Sequence, residues 1–146
     1  MIHKIFLDWR KKGAVSSIIE NQGQCASDWA FTTTCTLEGQ HFLKTGKLVR
    51  LSAQNLMDCS DKFGNEGCNG GLVNAAFQYI KVNNGVDTEA SYPYEAIQGK
   101  CRFNPANVGA TDTVIIIFTL FFFFNFSFFL YRVLLKLKEE MKQRYK

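Results

Sequence analysis

The stretch NQGQCASDWAF, residues 21–31, decides the fold, because it joins a cysteine in a glycine-containing segment to the start of a helix. Residues 8–23 before it are short, mixed and interrupted by glycine, which is typical of an extended entry segment. The apolar residues that follow Asp28 predict a helix from Asp28 to about Leu43. Ser27 is the predicted N-cap, and Gly46 lies just past the predicted end.

Two further helices are predicted downstream. Ser52 begins a short helix, and a third helix runs from about Val73 to Val82, where Asn84-Gly85 stops it. A glycine-rich loop over residues 64–71 separates the two helices. Residues 91–94 are predicted to be extended, since a residue before proline avoids the helical region.

The charge distribution argues against a nucleic-acid-binding surface. The chain has a formal net charge of +4, and residues 132–146 account for all of the excess. The rest of the chain carries equal numbers of basic and acidic residues and is neutral, whereas phosphate binding needs a clustered basic face.

The cysteines indicate disulfides and an oxidising compartment rather than a metal site. No two of them have C-x-x-C spacing, and His3 and His41 lie far from ligand positions, so neither a metal nor a cofactor is expected. The odd number predicts one free thiol. Residues 1–8 include the charged residues Lys4 and Asp8 and lack the long apolar core of a secretory signal, which suggests an incomplete chain. The five cysteines are Cys25, Cys35, Cys59, Cys68 and Cys101.

From Asp8 to about Thr113 the chain resembles the papain-like cysteine peptidases, the cathepsin L branch in particular. The resemblance implies an α+β fold of two lobes with the active site in the cleft between them. Residues 1–113 would form the mainly helical first lobe, and the β-rich second lobe is expected to be missing. The matching blocks are Asp8–Val15, Asn21–Phe31, Leu37–Gln40, Leu51-Ser52, Gln54–Leu56, Asp58–Ser60, Gly67–Leu72, Tyr92–Tyr94 and Cys101–Pro105.

The resemblance also implies two disulfides, Cys25–Cys68 and Cys59–Cys101. Each would close a loop of about 43 residues and stabilise the fold by roughly 2–4 kcal/mol. Cys35 would remain free, and we expect it to be a buried helix residue that packs as a small hydrophobe.

The residue that the family uses as its nucleophile is replaced in this sequence. Family members have a reactive cysteine just before the tryptophan, and Asp28 stands there. The resemblance assigns the oxyanion donors to the side chain of Gln22 and the backbone N–H of residue 28. The histidine and asparagine that complete the machinery come from the second lobe, so the chain as written is predicted to be inactive.

Asp28 has two interpretations. As a catalytic group, it would need a second carboxylate to share a proton, and none is evident. As a structural residue, it gains from the helix dipole and can bond free N–H groups at the helix start, which we regard as the better interpretation.

The glycine-rich loop carries the predicted substrate groove. By resemblance, Gly70 and Gly71 form an edge that hydrogen-bonds an extended peptide, and Leu72 and Val73 line the neighbouring pockets. The alternative is that the loop only makes tight turns around Cys68. The implied partners are extended peptides, protein substrates or protein inhibitors, and the implied location is lysosomal or extracellular.

Beyond residue 113 the family resemblance ends. Residues 114–131 form an apolar run near the short limit for a membrane-spanning helix, and residues 132–146 form a basic tail. Three interpretations stay open for the run: a membrane segment or anchor, translated non-coding sequence such as an intron, or a helix that covers the exposed cleft face.

The sequence therefore predicts an inactive homologue of a cathepsin L-like endopeptidase. The alternative function is a non-catalytic lobe that binds peptides or inhibitors and is tethered to a membrane.

Overall fold

The computed structural model describes residues 8–111, which form a helix-rich α+β unit. The apolar run 114–131 and the basic tail 132–146, with the predictions made for them, lie outside the described residues. Within residues 8–111, no helix has the length and apolar character needed to cross a membrane. In chain order the helices and strands are α1 (Asp28–Thr45), α2 (Ala53–Cys59), α3 (Val73–Val82), β1 (Val86–Asp87) and β2 (Val108–Ala110), with short 3-10 helices at Asp61–Phe63, Gly67–Asn69 and Pro105–Asn107.

Helix α1 begins where the sequence predicts and ends two residues later than expected. Gly46 takes up a left-handed conformation (φ 73°), and its N–H donates to the Phe42 carbonyl, which closes the helix. Ser27 occupies the N-cap position, but its hydroxyl caps no helix N–H. It instead bonds the Tyr94 hydroxyl at 2.6 Å, so a tertiary contact has replaced the predicted local one.

Helix α2 forms the centre of the core, with α1 and α3 packed against it. Ser52 caps it by accepting a hydrogen bond from the Asn55 N–H at 2.9 Å. Every residue from Leu51 to Ser60 is buried, including the fully enclosed Leu56 and Met57. Helix α3 has the predicted bounds and buries Ala76 and Ile80 against this centre.

A small antiparallel sheet was not predicted. Val86 pairs with Ala110 and Asp87 pairs with Val108. Strands of two and three residues are too short to show the alternating pattern by which a strand is recognised. The sheet ties the segment after α3 to residues 108–110, and Asp87 is buried within it, where one oxygen accepts from the Asn104 N–H.

Both disulfides implied by the family resemblance are present. Cys25–Cys68 joins the segment before α1 to the glycine-rich loop, and Cys59–Cys101 joins the end of α2 to the segment before β2. Among the described residues, Cys35 is the free cysteine.

The expectation that Cys35 is buried was wrong. It is exposed, because it borders an open cavity of about 180 Å³ between α1 and the entry segment, lined also by Val15, Phe31 and Arg50. Neighbouring atoms displace part of the water around the thiol, and together with the Glu38 carboxylate they raise the pKa of Cys35. The thiol is therefore less reactive than an ordinary surface cysteine.

Glu38 is a buried carboxylate in α1 that holds the start of the α2 segment. It is 5 % exposed, and its Oε1 accepts from the Leu51 N–H at 2.8 Å and lies 3.6 Å from Arg50 Nε. Burial raises the pKa of Glu38 above its ordinary value, although the Leu51 N–H and the Arg50 guanidinium act in the opposite direction.

We predict that Glu38→Gln weakens the pH dependence of stability. A carboxyl whose pKa is higher in the folded than in the unfolded state stabilises the fold below the unfolded pKa, and that contribution is lost as pH rises through the folded pKa. The contribution of Glu38 to the free energy of unfolding should therefore fall as pH rises above the ordinary glutamate value of 4.5. Burial also raises the pKa values of Asp87 and Glu89, so the slope should decrease without vanishing. Urea denaturation between about pH 4 and pH 7 measures it.

The matched control is Glu66→Gln, since Glu66 is exposed. This variant should keep the slope of the wild-type chain. An unchanged slope in Glu38→Gln would contradict the prediction.

Candidate functional site

The predicted site residues meet where the start of α1 approaches the glycine-rich loop. The Cys25–Cys68 disulfide links the two segments, with its Cα atoms 4.5 Å apart. Beside it, the Ala26 N–H donates to the Cys68 carbonyl at 3.1 Å. These contacts bring Gln22 and Asp28 to the same region of the molecule as the loop that carries Gly70 and Gly71.

Trp29 supports the loop from within. The indole is 3 % exposed, and its Nε1–H donates to the Gly67 carbonyl at 3.3 Å. A Cβ on Gly71 would lie 2.6 Å from the indole Cε2 and 2.7 Å from Asn65 Oδ1, so only glycine fits there. Gly71 is therefore required by packing, whatever else it does.

Gly70 is required by its backbone conformation instead. Its φ of 119° is one that other residues rarely adopt, yet a Cβ at this position would have no heavy atom within 4 Å. The space beside Gly70 is therefore open.

The loop presents an unpaired backbone edge at Gly71. On one side the Gly70 carbonyl accepts from the Glu66 N–H at 2.9 Å, and on the other the Leu72 N–H donates to Asn65 Oδ1 at 2.8 Å. Within residues 8–111, the N–H and carbonyl of Gly71 have no such partner. Leu72 is 67 % exposed, and Val73 beside it is partly buried.

Gln22 is held through its backbone, which leaves its side chain free. Its carbonyl accepts from the Tyr94 hydroxyl at 2.8 Å and from the Cys25 N–H at 3.4 Å. Because Tyr94 donates its one proton to Gln22, its oxygen can accept from the Ser27 hydroxyl at 2.6 Å, and that hydroxyl also lies 3.4 Å from the Cys25 carbonyl. The Gln22 amide group makes no hydrogen bond within the described part of the chain, so it is available to a ligand.

Asp28 is the first residue of α1 and is exposed. The expected bonds from its carboxylate to free N–H groups are not formed, because the residue that reaches those groups is the N-cap, one position earlier. The described residues contain no hydrogen-bond or ion-pair partner for this carboxylate. The backbone N–H of Asp28 is likewise unpaired there.

The other side chains considered for catalysis lie elsewhere. His41 is the one histidine among residues 8–111, thirteen positions along α1 from Asp28, which corresponds to about 20 Å. Over the same range, no three His, Cys, Asp or Glu side chains are grouped so as to hold a metal ion. An open cavity of about 710 Å³, lined by Phe63, Tyr79 and Phe103 among others, is lined by none of the predicted catalytic or substrate-binding residues.

Sequence reasoning missed Tyr94 and Asn65 as residues that position the site. Tyr94 anchors Gln22, and its ring packs against Phe31 with centroids 4.8 Å apart. Asn65 anchors Leu72 through Oδ1 and donates to Ser60 Oγ at 2.8 Å. Tyr94 lies in the matching block Tyr92–Tyr94, and Asn65 lies in the glycine-rich loop. Their hydrogen-bond partners are up to 72 residues away in sequence, which a local pattern cannot reveal.

Comparison with known proteins points to one family. The family described as "Papain family cysteine protease" matches residues 5–117. A "Cathepsin L-like peptidase" of Aedes aegypti is 66% identical over 106 residues, covering 73% of this chain and 31% of that protein. "Cathepsin L1" of Drosophila melanogaster is 63% identical over 106 residues, covering 73% and 28%.

Among solved structures, a digestive procathepsin L 3 of Tenebrio molitor larval midgut matches with a TM-score of 0.67. It is 48% identical, and the match covers 71% of this chain and 33% of that one. The chain thus spans about a third of the length of the relatives that it matches.

We predict that Tyr94→Phe loosens the Gln22 segment. The variant removes the nearer of the two donors to the Gln22 carbonyl and the nearer partner of the buried Ser27 hydroxyl, and it should lower the free energy of unfolding by about 1–2 kcal/mol. Amide hydrogen exchange should increase at residues 22–27. Tyr92→Phe is the matched control, because the Tyr92 hydroxyl bonds Asp58 Oδ2 at 2.7 Å and should affect exchange near Asp58 and Gly99 instead. Equal protection of residues 22–27 in both variants would refute the anchoring role of Tyr94.

Proposed function

The chain belongs to the papain family of cysteine proteases, and from that premise we propose that residues 8–111 form a peptide-binding lobe that does not hydrolyse peptide bonds. The observation that carries the proposal is the unpartnered, exposed Asp28 at the start of α1, one residue before the Trp29 indole that packs against the open backbone edge of Gly71. The parts of a groove are kept, whereas the group that would do the chemistry is replaced.

Hydrolysis by this family depends on a thiolate and a base beside it. A carboxylate is a weak nucleophile toward an amide. Its attack would form an anhydride by expelling an amine, and since an amine leaves far less readily than a carboxylate, the intermediate would collapse backward. Asp28 also has no second carboxylate to share a proton within the described chain, as an aspartic mechanism requires.

Neither Cys35 nor His41 compensates for the substitution. Cys35 lies seven positions along α1, about 10 Å from Asp28, and its pKa is raised rather than lowered. His41 is about twice as far away. The thiol therefore lacks both the place and the activation of a nucleophile.

The oxyanion donors alone do not supply the missing chemistry. The Gln22 amide and the Asp28 N–H are both free, which supports their assignment as donors to a carbonyl oxygen. In this chain, however, the same carbonyl oxygen would approach the Asp28 carboxylate, and the negative charge opposes the oxyanion that those donors would stabilise.

Peptide binding is supported by the shape and hydrogen-bonding capacity of the loop. An extended peptide can pair with both the N–H and the carbonyl of Gly71, as an added antiparallel strand does. The space beside Gly70 lets the peptide backbone approach, and Leu72 and Val73 offer apolar contacts next to it. The ligands would be peptides, protein substrates of the family or protein inhibitors.

The two disulfides support an oxidising location, lysosomal or extracellular. Tethering to a membrane through residues 114–131 belongs to the same proposal, and those residues lie outside the described structure.

We predict that the purified 146-residue chain does not cleave fluorogenic peptides. In a Cys35→Ser background, Asp28→Cys should gain alkylation at residue 28, because a thiol replaces the carboxylate at an exposed helix start. It should still show no turnover, since the histidines of the sequence are His3 in the N-terminal arm and His41 far along α1. Cys35→Ser alone is the control for labelling. Asp28→Asn, purified in the same way, is the control for contaminating protease. Hydrolysis by the wild-type chain but not by Asp28→Asn would overturn the proposal.

We predict that Gly70→Ala weakens peptide binding about tenfold or more. The new methyl group would occupy the open space beside the Gly71 edge, and the strained φ would displace the loop. Isothermal titration with an extended peptide measures the affinity.

Gly64→Ala is matched to Gly70→Ala for backbone strain. Gly64 has a φ of 94° and also has no heavy atom within 4 Å of its Cβ position, but it ends the 3-10 helix Asp61–Phe63. The two variants should lose similar stability, and only Gly70→Ala should lose affinity. Equal affinity of both variants would rule out binding at Gly71.

A further inference from the structure

Asp28 is an acidic residue for which the described chain supplies no counter-ion. The ion pairs within residues 8–111 are made by Arg10, Arg50 and Arg102, and none of them involves Asp28. The positive end of the α1 dipole amounts to about half an elementary charge, so it reduces the negative potential there without cancelling it.

Asp28 immediately precedes the residue that packs against the backbone edge on which a peptide would bind. Trp29, the residue after Asp28, is the side chain that packs against Gly71. The Cys25–Cys68 disulfide fixes the two segments from the other side. A peptide paired with Gly71 therefore runs past the start of α1 and brings one of its groups close to Asp28.

The charge of Asp28 decides which group is tolerated at that point. A backbone carbonyl oxygen is the negative end of a dipole and would be repelled. An ammonium or guanidinium group would be attracted, and it would also regain a hydrogen-bonding partner in place of water.

We propose that this groove selects extended peptides that place a cationic group beside Asp28, either a free α-amino group or the side chain of a lysine or arginine. The proposal rests on the peptide-binding function proposed above and names its ligand class. The aspartate that stands at position 28 in place of the family's cysteine would thus change the ligand preference of the groove as well as remove a nucleophile.

The test measures, by isothermal titration, the affinity of the full 146-residue chain for several versions of one peptide sequence. The first has a free N-terminus, the second is acetylated there, and a third set is acetylated and carries one lysine at successive positions. The wild-type chain should bind the best cationic peptide about threefold or more tightly than the neutral acetylated peptide, and added salt should reduce that ratio. The free N-terminus and the lysine set identify which source of cation is used.

Asp28→Asn should remove the preference, because it keeps the size of the side chain and deletes the charge. Asp61→Asn is the charge-matched control: Asp61 is also exposed at a helix start but borders the other cavity, and it should leave the preference unchanged. Near-ultraviolet circular dichroism checks that both variants keep the fold.

The outcomes separate the two proposals. Two outcomes would overturn the charge selection alone, provided that peptide binding depends on Gly70. One is equal affinity of the wild-type chain for cationic and neutral peptides, and the other is the same preference for cationic peptides in Asp28→Asn as in the wild-type chain. No binding of any peptide to any variant would overturn the peptide-binding function and the selection with it.

Discussion

The close contact between the Trp29 indole and Gly71 is the constraint on which the site depends. The indole occupies the volume in which a Cβ at position 71 would lie, so the loop backbone sits directly against α1. Because the indole is buried and bonds the Gly67 carbonyl, it cannot turn aside without leaving a polar group unpaired in the core. The orientation of the Gly71 edge and the placement of Asp28, one residue before Trp29, follow from this single packing arrangement.

The sequence predicted the helices better than the contacts between them. The bounds of α3 could be read from its apolar spacing and from the Asn84-Gly85 stop, because these signals are local. Ser27 was assigned as a capping residue on the same local grounds, yet its hydroxyl is used by Tyr94, 67 residues away. The exposure of Cys35 escaped prediction for a related reason, since it depends on how far the entry segment covers α1.

The disulfide pairs became predictable only through the family resemblance, because spacing alone leaves the partners of five cysteines open. The same holds for the site: Gln22, Asp28, Gly70 and Gly71 are spread over 50 residues, and it is the fold that brings them together. The structure supports each of the glycines with a physical reason of its own, a positive φ for Gly70 and steric contact for Gly71. Those reasons would exist in a loop without ligands, whereas the unpaired groups of Gly71, Gln22 and Asp28 are the ones that a ligand could use.

The core of the lobe does not include the side chain at position 28. The core is formed by α2 with α1 and α3 and is closed by two disulfides, and Asp28 contributes to none of these contacts. A helix start tolerates an anion of either kind, a thiolate or a carboxylate. In a cysteine protease the thiolate is activated by a neighbouring histidine that becomes its cation, whereas Asp28 has no cationic partner among the described residues. On the function proposed above, an aspartate at position 28 would leave the core contacts as they are and would change the potential that a ligand meets in the groove.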